Sequence, residues 1–120
     1  MKISNEICFS EEVNSYKVDD EINIYAQTIA TVEEGKTAIY IHGGGSGGNH
    51  TMLVRPAKWM IEKGMFSKFI LPDRRGEGLS TPLTKKLTIK DHAIDMKKLL
   101  DVLGIEEKIT AIGLSYGGPI

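Results

Sequence analysis

Ile112-Gly113-Leu114-Ser115-Tyr116-Gly117-Gly118 decides how the rest of this 120-residue chain is read. The residues just before it, Lys108-Ile109-Thr110-Ala111, predict a strand over 108–113 that runs straight into a Gly-x-Ser-x-Gly turn. A strand entering a helix through so sharp a turn leaves its middle residue exposed in a strained conformation. The positions two before and two after the serine must be nearly free of side chain, and Gly113 and Gly117 meet that need. Ser115 then projects its hydroxyl close to a helix N-terminus. Backbone N–H groups and the helix dipole there favour developing negative charge. The N–H of Tyr116 is one natural oxyanion donor.

Working backwards, Thr88 to Leu103 predicts a helix. Thr88 is a good N-cap and Asp91 lies three residues on, as in a capping box. Ile89, Ala93, Met96, Leu99, Leu100 and Leu103 fall on one stripe, and Gly104 ends it. Residues 67–72 and 37–42 are nearly continuous apolar runs, the pattern of strands buried on both faces of a parallel sheet. Between them a helix is expected over 55–63, with Pro56 in its first turn and Gly64 just past its end. Strands alternating with helices predict parallel strands joined by right-handed crossovers. Ahead of them, residues 3–9 and 21–29 predict an antiparallel hairpin at a sheet edge, with its turn at Asp19-Asp20.

Chemistry is expected where parallel strands end at their carboxyl termini. Each of the three strands ends in a glycine-rich turn: His42-Gly43-Gly44-Gly45-Ser46-Gly47-Gly48, Asp73-Arg74-Arg75-Gly76-Glu77-Gly78-Leu79-Ser80, and Gly113 to Gly118. The first lets backbone N–H groups approach a ligand with no Cβ in the way. It offers a second oxyanion donor, best placed on Gly44, with Gly43 and Gly45 as close alternatives. Two phosphate-binding patterns compete for the same run. A P-loop fails because Asn49-His50 replaces the Lys-Ser/Thr pair that reaches phosphate and magnesium. A dinucleotide-binding turn fits Gly43-x-Gly45-x-x-Gly48 with Asp73 as the ribose acid, but leaves the other two turns unexplained.

Composition narrows the class. The chain is 41% hydrophobic and 26% charged with a formal net charge of -1, so neither sign favours nucleic acid or a membrane surface. No apolar run approaches the roughly 20 residues a bilayer span needs, and Met1 to Glu6 has no signal-peptide pattern. The single cysteine, Cys8, cannot form an internal disulfide and reads as a small core residue in a cytoplasmic protein.

His-Gly-Gly after one strand, Asp-x-Arg-Gly-x-Gly-x-Ser after the next and Gly-x-Ser-x-Gly-Gly after a helix together resemble the N-terminal part of the α/β-hydrolases, over about residues 20–120. The resemblance implies an α/β fold with a mostly parallel sheet, crossover helices and a hairpin at the start. It also implies a Ser–acid–His triad with Ser115 as nucleophile, an oxyanion hole, no metal and no organic cofactor. It gives Asp73 and Arg75 a structural part, shaping the site beside the glycine loop. Serine at the elbow is similar to esterases, lipases, peptidases and C–C hydrolases; dehalogenases and epoxide hydrolases carry aspartate there. The His-Gly-Gly string also resembles the proline iminopeptidases, which usually have proline where this chain has Gly45. A non-catalytic relative using the fold for binding is the remaining alternative. The implied substrate is a small ester, an amide or a short peptide.

In this family the acid and the histidine follow the serine. All three histidines here, His42, His50 and His92, precede Ser115. His42 is expected to fix the loop through hydrogen bonds, His50 to face solvent, and His92 to sit on the helix remote from the strand ends. The chain therefore reads as the N-terminal part of one catalytic domain. Its triad is completed by a missing C-terminal segment or a complementary chain, and residues 1–120 alone are expected to lack hydrolase activity.

Overall fold

A computed structural model of the protein describes residues 8–32, 34–43, 48–114, 117 and 120. Among them, five strands form one sheet: β1 (Ser10–Asp19), β2 (Ile22–Ala30), β3 (Thr37–Ile41), β4 (Lys68–Pro72) and β5 (Thr110–Gly113). Their order across the sheet is β1-β2-β4-β3-β5. The first two pair antiparallel, β2 pairs antiparallel with β4, and β4, β3 and β5 run parallel. Two helices cross between the parallel strands, α1 (Val54–Glu62) and α2 (Ile89–Val102), with a short 3-10 turn at His50–Leu53 leading into α1.

This order explains where the helices lie. The step from β3 to β4 moves one way across the sheet, and the step from β4 to β5 moves back past β3. Two right-handed crossovers in opposite directions must place their helices on opposite faces. The core splits accordingly. On one face Leu53, Ala57 and Ile61 pack on Ile29, Ala38, Tyr40, Phe69 and Leu71. On the other, Met96 and Leu99 pack on Ile24, Ala26, Ile39, Ile41 and Ile70. Alternate residues of β3 thus serve the two cores, which is why 37–41 reads as continuously apolar. Each large aliphatic side chain buried there contributes about 1.5–3 kcal/mol.

The predicted parallel strands and both helices form, with their ends moved by no more than two residues. Gly64 (φ 77°) and Gly104 (φ 73°) stand just past the two helices in the left-handed conformation. Thr88 and Asp91 exchange the reciprocal bonds of a capping box. Thr88→Ala removes one side of that box and is expected to cost about 1 kcal/mol in urea denaturation, with an unchanged m-value.

Two expectations fail. The hairpin forms around the Asp19-Asp20 turn, but its first strand is Ser10–Asp19, not 3–9, of which residues 3–7 lie outside the described residues. This strand is exposed along most of its length, and only Tyr16 and Val18 near its end lean on the core, too short an alternation to mark the whole strand. It is held by backbone pairing to β2 and by edge contacts such as Gln27 Nε2 to Glu11 (2.8 Å). Cys8 is exposed rather than in the core. Among the described residues no helix is long and apolar enough to cross a membrane.

Candidate active site

Because β3, β4 and β5 are parallel and adjacent, the turns after them share one edge of the sheet. Ser115, Tyr116, Gly44 and Gly45 lie outside the described residues; Gly43, Asp73, Arg75 and the flanks of the serine are within them.

Those flanks define the elbow. The Leu114 N–H donates to the Ile41 carbonyl (3.0 Å), carrying the pairing of β5 with β3 one residue past the strand. The chain then reverses: Gly117 N–H donates back to the Leu114 carbonyl (3.0 Å), and Ile120 N–H donates to Gly117 (3.2 Å). The described flanks thus close two successive i→i+3 bonds, from Gly117 to Leu114 and from Ile120 to Gly117. Gly117 is buried against the end of β3. A Cβ there would lie 2.8 Å from the His42 carbonyl oxygen and would overlap the Ile41 carbonyl oxygen outright. A residue with a side chain at 117 would force the bend away from the strand beside it.

The glycine loop after β3 is fixed at both ends. His42 is fully buried and its Nε2 accepts the Arg74 N–H (3.0 Å). A backbone N–H can only donate, so Nε2 is bare and Nδ1–H donates to the Gly43 carbonyl (3.1 Å). Burial holds its pKa below the ordinary imidazole value, although the bond to Gly43 opposes this. His42 is therefore a neutral strut, as the sequence predicts. At the exit, Gly48 packs on the Gly43 carbonyl, so the loop closes on itself. Asn49 caps the following turn by accepting the Thr51 N–H (2.9 Å).

His50 departs from expectation. It is buried, not solvent-facing. Its backbone N–H and its Nδ1–H both donate to Asp73 Oδ1, each at 2.7 Å. Asp73 is buried as well, and its other oxygen accepts the Leu79 N–H (3.0 Å). Burial pushes the Asp73 carboxyl up, but the bonds from His50 and Leu79 outweigh it and the net pKa is below the usual aspartate value. Asp73 also anchors through its backbone. Its N–H donates to Tyr25 (2.8 Å), and its carbonyl accepts Ser80 Oγ (2.6 Å), which in turn accepts the Tyr25 N–H. Gly78, at φ 52°, lies against the carboxylate with no room for a Cβ.

A folded-state pKa below the unfolded value means stability that is present above the unfolded pKa and lost as pH falls through the folded one. The protein is therefore expected to lose stability below about pH 4. Asp73→Asn should be less stable at neutral pH and show a flatter acid limb in denaturation followed against pH.

Arg75 reaches α2, where Nε and one terminal nitrogen grip both oxygens of buried Asp95 at 2.9 and 2.7 Å. The bond to Asp95 raises its pKa further. His92, also on α2, is buried within electrostatic reach of Arg74, Asp95 and Arg75, so it is not remote from the strand ends. The sequence reading missed His50 and Asp95. Each carried a signal: Asn49 is a helix-capping residue that sets His50 at an inward-facing start, and Asp95 interrupts the apolar stripe beside Met96. The dinucleotide reading needs an acid free to hold a ribose. Asp73 is buried and already filled by three donors.

A sheet ordered β1-β2-β4-β3-β5 with a sharp turn after β5 is the architecture of the N-terminal part of the α/β-hydrolase fold. No family model matches the chain, and no curated protein matches it in sequence. Solved structures do share its fold. A thermophilic esterase from Thermogutta terrifontis is similar with a TM-score of 0.68 and 24% identity, over 92% of this chain and 37% of its own. The 2-hydroxy-6-oxo-6-phenylhexa-2,4-dienoate hydrolase of Rhodococcus sp. strain RHA1 gives 0.72 and 19%, over 92% and 39%. The haloalkane dehalogenase DatA of Agrobacterium tumefaciens C58 gives 0.66 and 14%, over 89% and 33%. The chain spans between 33% and 39% of the length of each of these proteins.

Proposed function

We propose that this chain carries the nucleophile and oxyanion hole of a serine hydrolase that cleaves an ester or amide through an acyl-enzyme on Ser115. The observation that carries this is the bend at 114–117, packed without side chain against the end of β3 at Gly117. Neighbours with the same fold run different chemistries, an esterase and a dehalogenase among them. The fold does not choose between them; the residue at the elbow does, and here it is serine.

On this reading Ser115 attacks the substrate carbonyl. The N–H groups of Tyr116 and Gly44, with Gly43 and Gly45 flanking, receive the oxyanion, and one such donor is worth about 3–4 kcal/mol. Water then releases the acid. A histidine takes the serine proton and an Asp or Glu orients it. His42 and His50 hold structural bonds through at least one ring nitrogen each. By the chain order Ser, acid, His that the resemblance implies, the base and its acid are taken to come from polypeptide outside residues 1–120, continuous with it or separate, and these residues alone are expected to turn over no ester. Asp73 and Arg75 brace the site and take no part in bond making. Substrates are small esters, amides or short peptides, and no metal or organic cofactor takes part.

The test is turnover of a small activated ester by the intact protein that carries this sequence, alongside a titration with nicotinamide cofactors. Ester hydrolysis with no cofactor binding is the expected result. Saturable cofactor binding without ester turnover would instead restore the dinucleotide reading.

A further inference from the structure

The geometry points to the His50–Asp73 pair as a positioning element that sets the exit of the glycine loop, and through it the aim of the oxyanion donors. This rests on the acyl-enzyme reading above and assigns a role to a histidine which that mechanism does not use.

The loop after β3 has two fixed ends. Its entrance is tied by His42 to Arg74, and its exit by His50 to Asp73. Both anchors lie on the turn after β4, so one loop is laced to the other at two adjacent residues, 73 and 74. The exit tie is the stronger: two donors from one residue converge on one oxygen of an ionised, buried carboxylate. That carboxylate cannot shift to follow the loop. Tyr25 and Ser80 hold its backbone and Leu79 holds its second oxygen. The Tyr25 ring packs beside that of His50, with its centroid 5.5 Å away. The pair therefore fixes where the exit of the loop, at Gly48 to His50, stands against the turn after β4. The Asp–His distance resembles that of a catalytic dyad. Here, however, the histidine's own backbone N–H shares the same oxygen, which fixes the ring as part of the loop's footing.

Three variants of the intact protein separate positioning from chemistry: His50→Leu, which removes the ring donor, His50→Asn, whose Nδ2–H takes the place of Nδ1–H, and Asp73→Asn. His50→Leu should lower kcat on a small activated ester about 100-fold with KM moved less than about threefold. His50→Asn should recover to within about fivefold of wild type, and the acid limb of its kcat/KM profile should stay in place, because the general base lies elsewhere. Asp73→Asn is isosteric and carries the test if His50→Leu does not fold; its kcat should fall at least about tenfold. The assignment is overturned if folded His50→Leu or Asp73→Asn keeps wild-type kcat. It is equally overturned if His50→Asn is as impaired as His50→Leu or loses the acid limb, since the imidazole itself would then be the base. Turnover that survives Ser115→Ala removes the acyl-enzyme reading and this assignment together. Loss on Ser115→Ala with unchanged His50 and Asp73 variants removes this assignment alone.

Discussion

Ser115→Ala is expected to lower kcat of the intact protein on a small ester by at least about 10⁴-fold, with KM and thermal stability nearly unchanged. Nothing else at the elbow can replace the hydroxyl. Leu114 and the glycines at 113, 117 and 118 carry no nucleophile, and the proposed role of Tyr116 lies in its backbone N–H. On the proposed reading the oxyanion donors and binding alone survive the substitution, and they leave a weak residual rate over water. The stability side of the expectation follows from the fold. Among the described residues, the contacts that hold the turn run through the backbone of Leu114 and Gly117, to Ile41 and to each other. A matched loss of stability would place Ser115 in the structure rather than in the chemistry.

Gly117→Val has the second largest expected effect, and of the opposite kind. Its new side chain would drive into the carbonyl oxygens of Ile41 and His42 at the end of the central strand. Those atoms are backbone, and that strand is paired on both sides, by β4 and β5. Neither partner can yield as a flexible side chain would. Parting the bend from β3 breaks the Leu114 to Ile41 bond and opens the adjoining face, at an expected cost of about 3 kcal/mol. Activity should vanish with it, since the bend and the glycine loop then move apart. Chemical denaturation and ester turnover on one preparation give both numbers. Gly117→Ala should follow in the same direction with a smaller loss.

Most of the fold is legible in the sequence because its parallel core is two-sided. Strands buried on both faces read as unbroken apolar runs, and Thr88 with Gly104 brackets α2 by side-chain chemistry alone. The edge is not legible. Strand β1 exposes most of its residues, with only Tyr16 and Val18 leaning on the core, so sequence periodicity has little to report and backbone pairing decides it. The candidate site divides the same way. Its glycine turns stand out because close backbone approach demands glycine. Its lacing does not, because His50 and Asp73 lie 23 residues apart and meet only once β3 and β4 are side by side. A histidine beside a glycine loop reads as solvent-facing until the acid that buries it is found. Arg75 and Asp95 teach the same lesson across 20 residues: a charge inside an apolar stripe announces a partner without naming it.

The proposed reading makes the Ser115 hydroxyl the reactive group of the chain. Treating the intact protein with a fluorophosphonate and mapping the adduct by peptide mass spectrometry tests that most directly. A single phosphonyl group on the peptide containing Ser115, blocked by prior acylation and absent in Ser115→Ala, is the predicted result. Labelling at another serine, or none at all in a preparation that still hydrolyses ester, would contradict it.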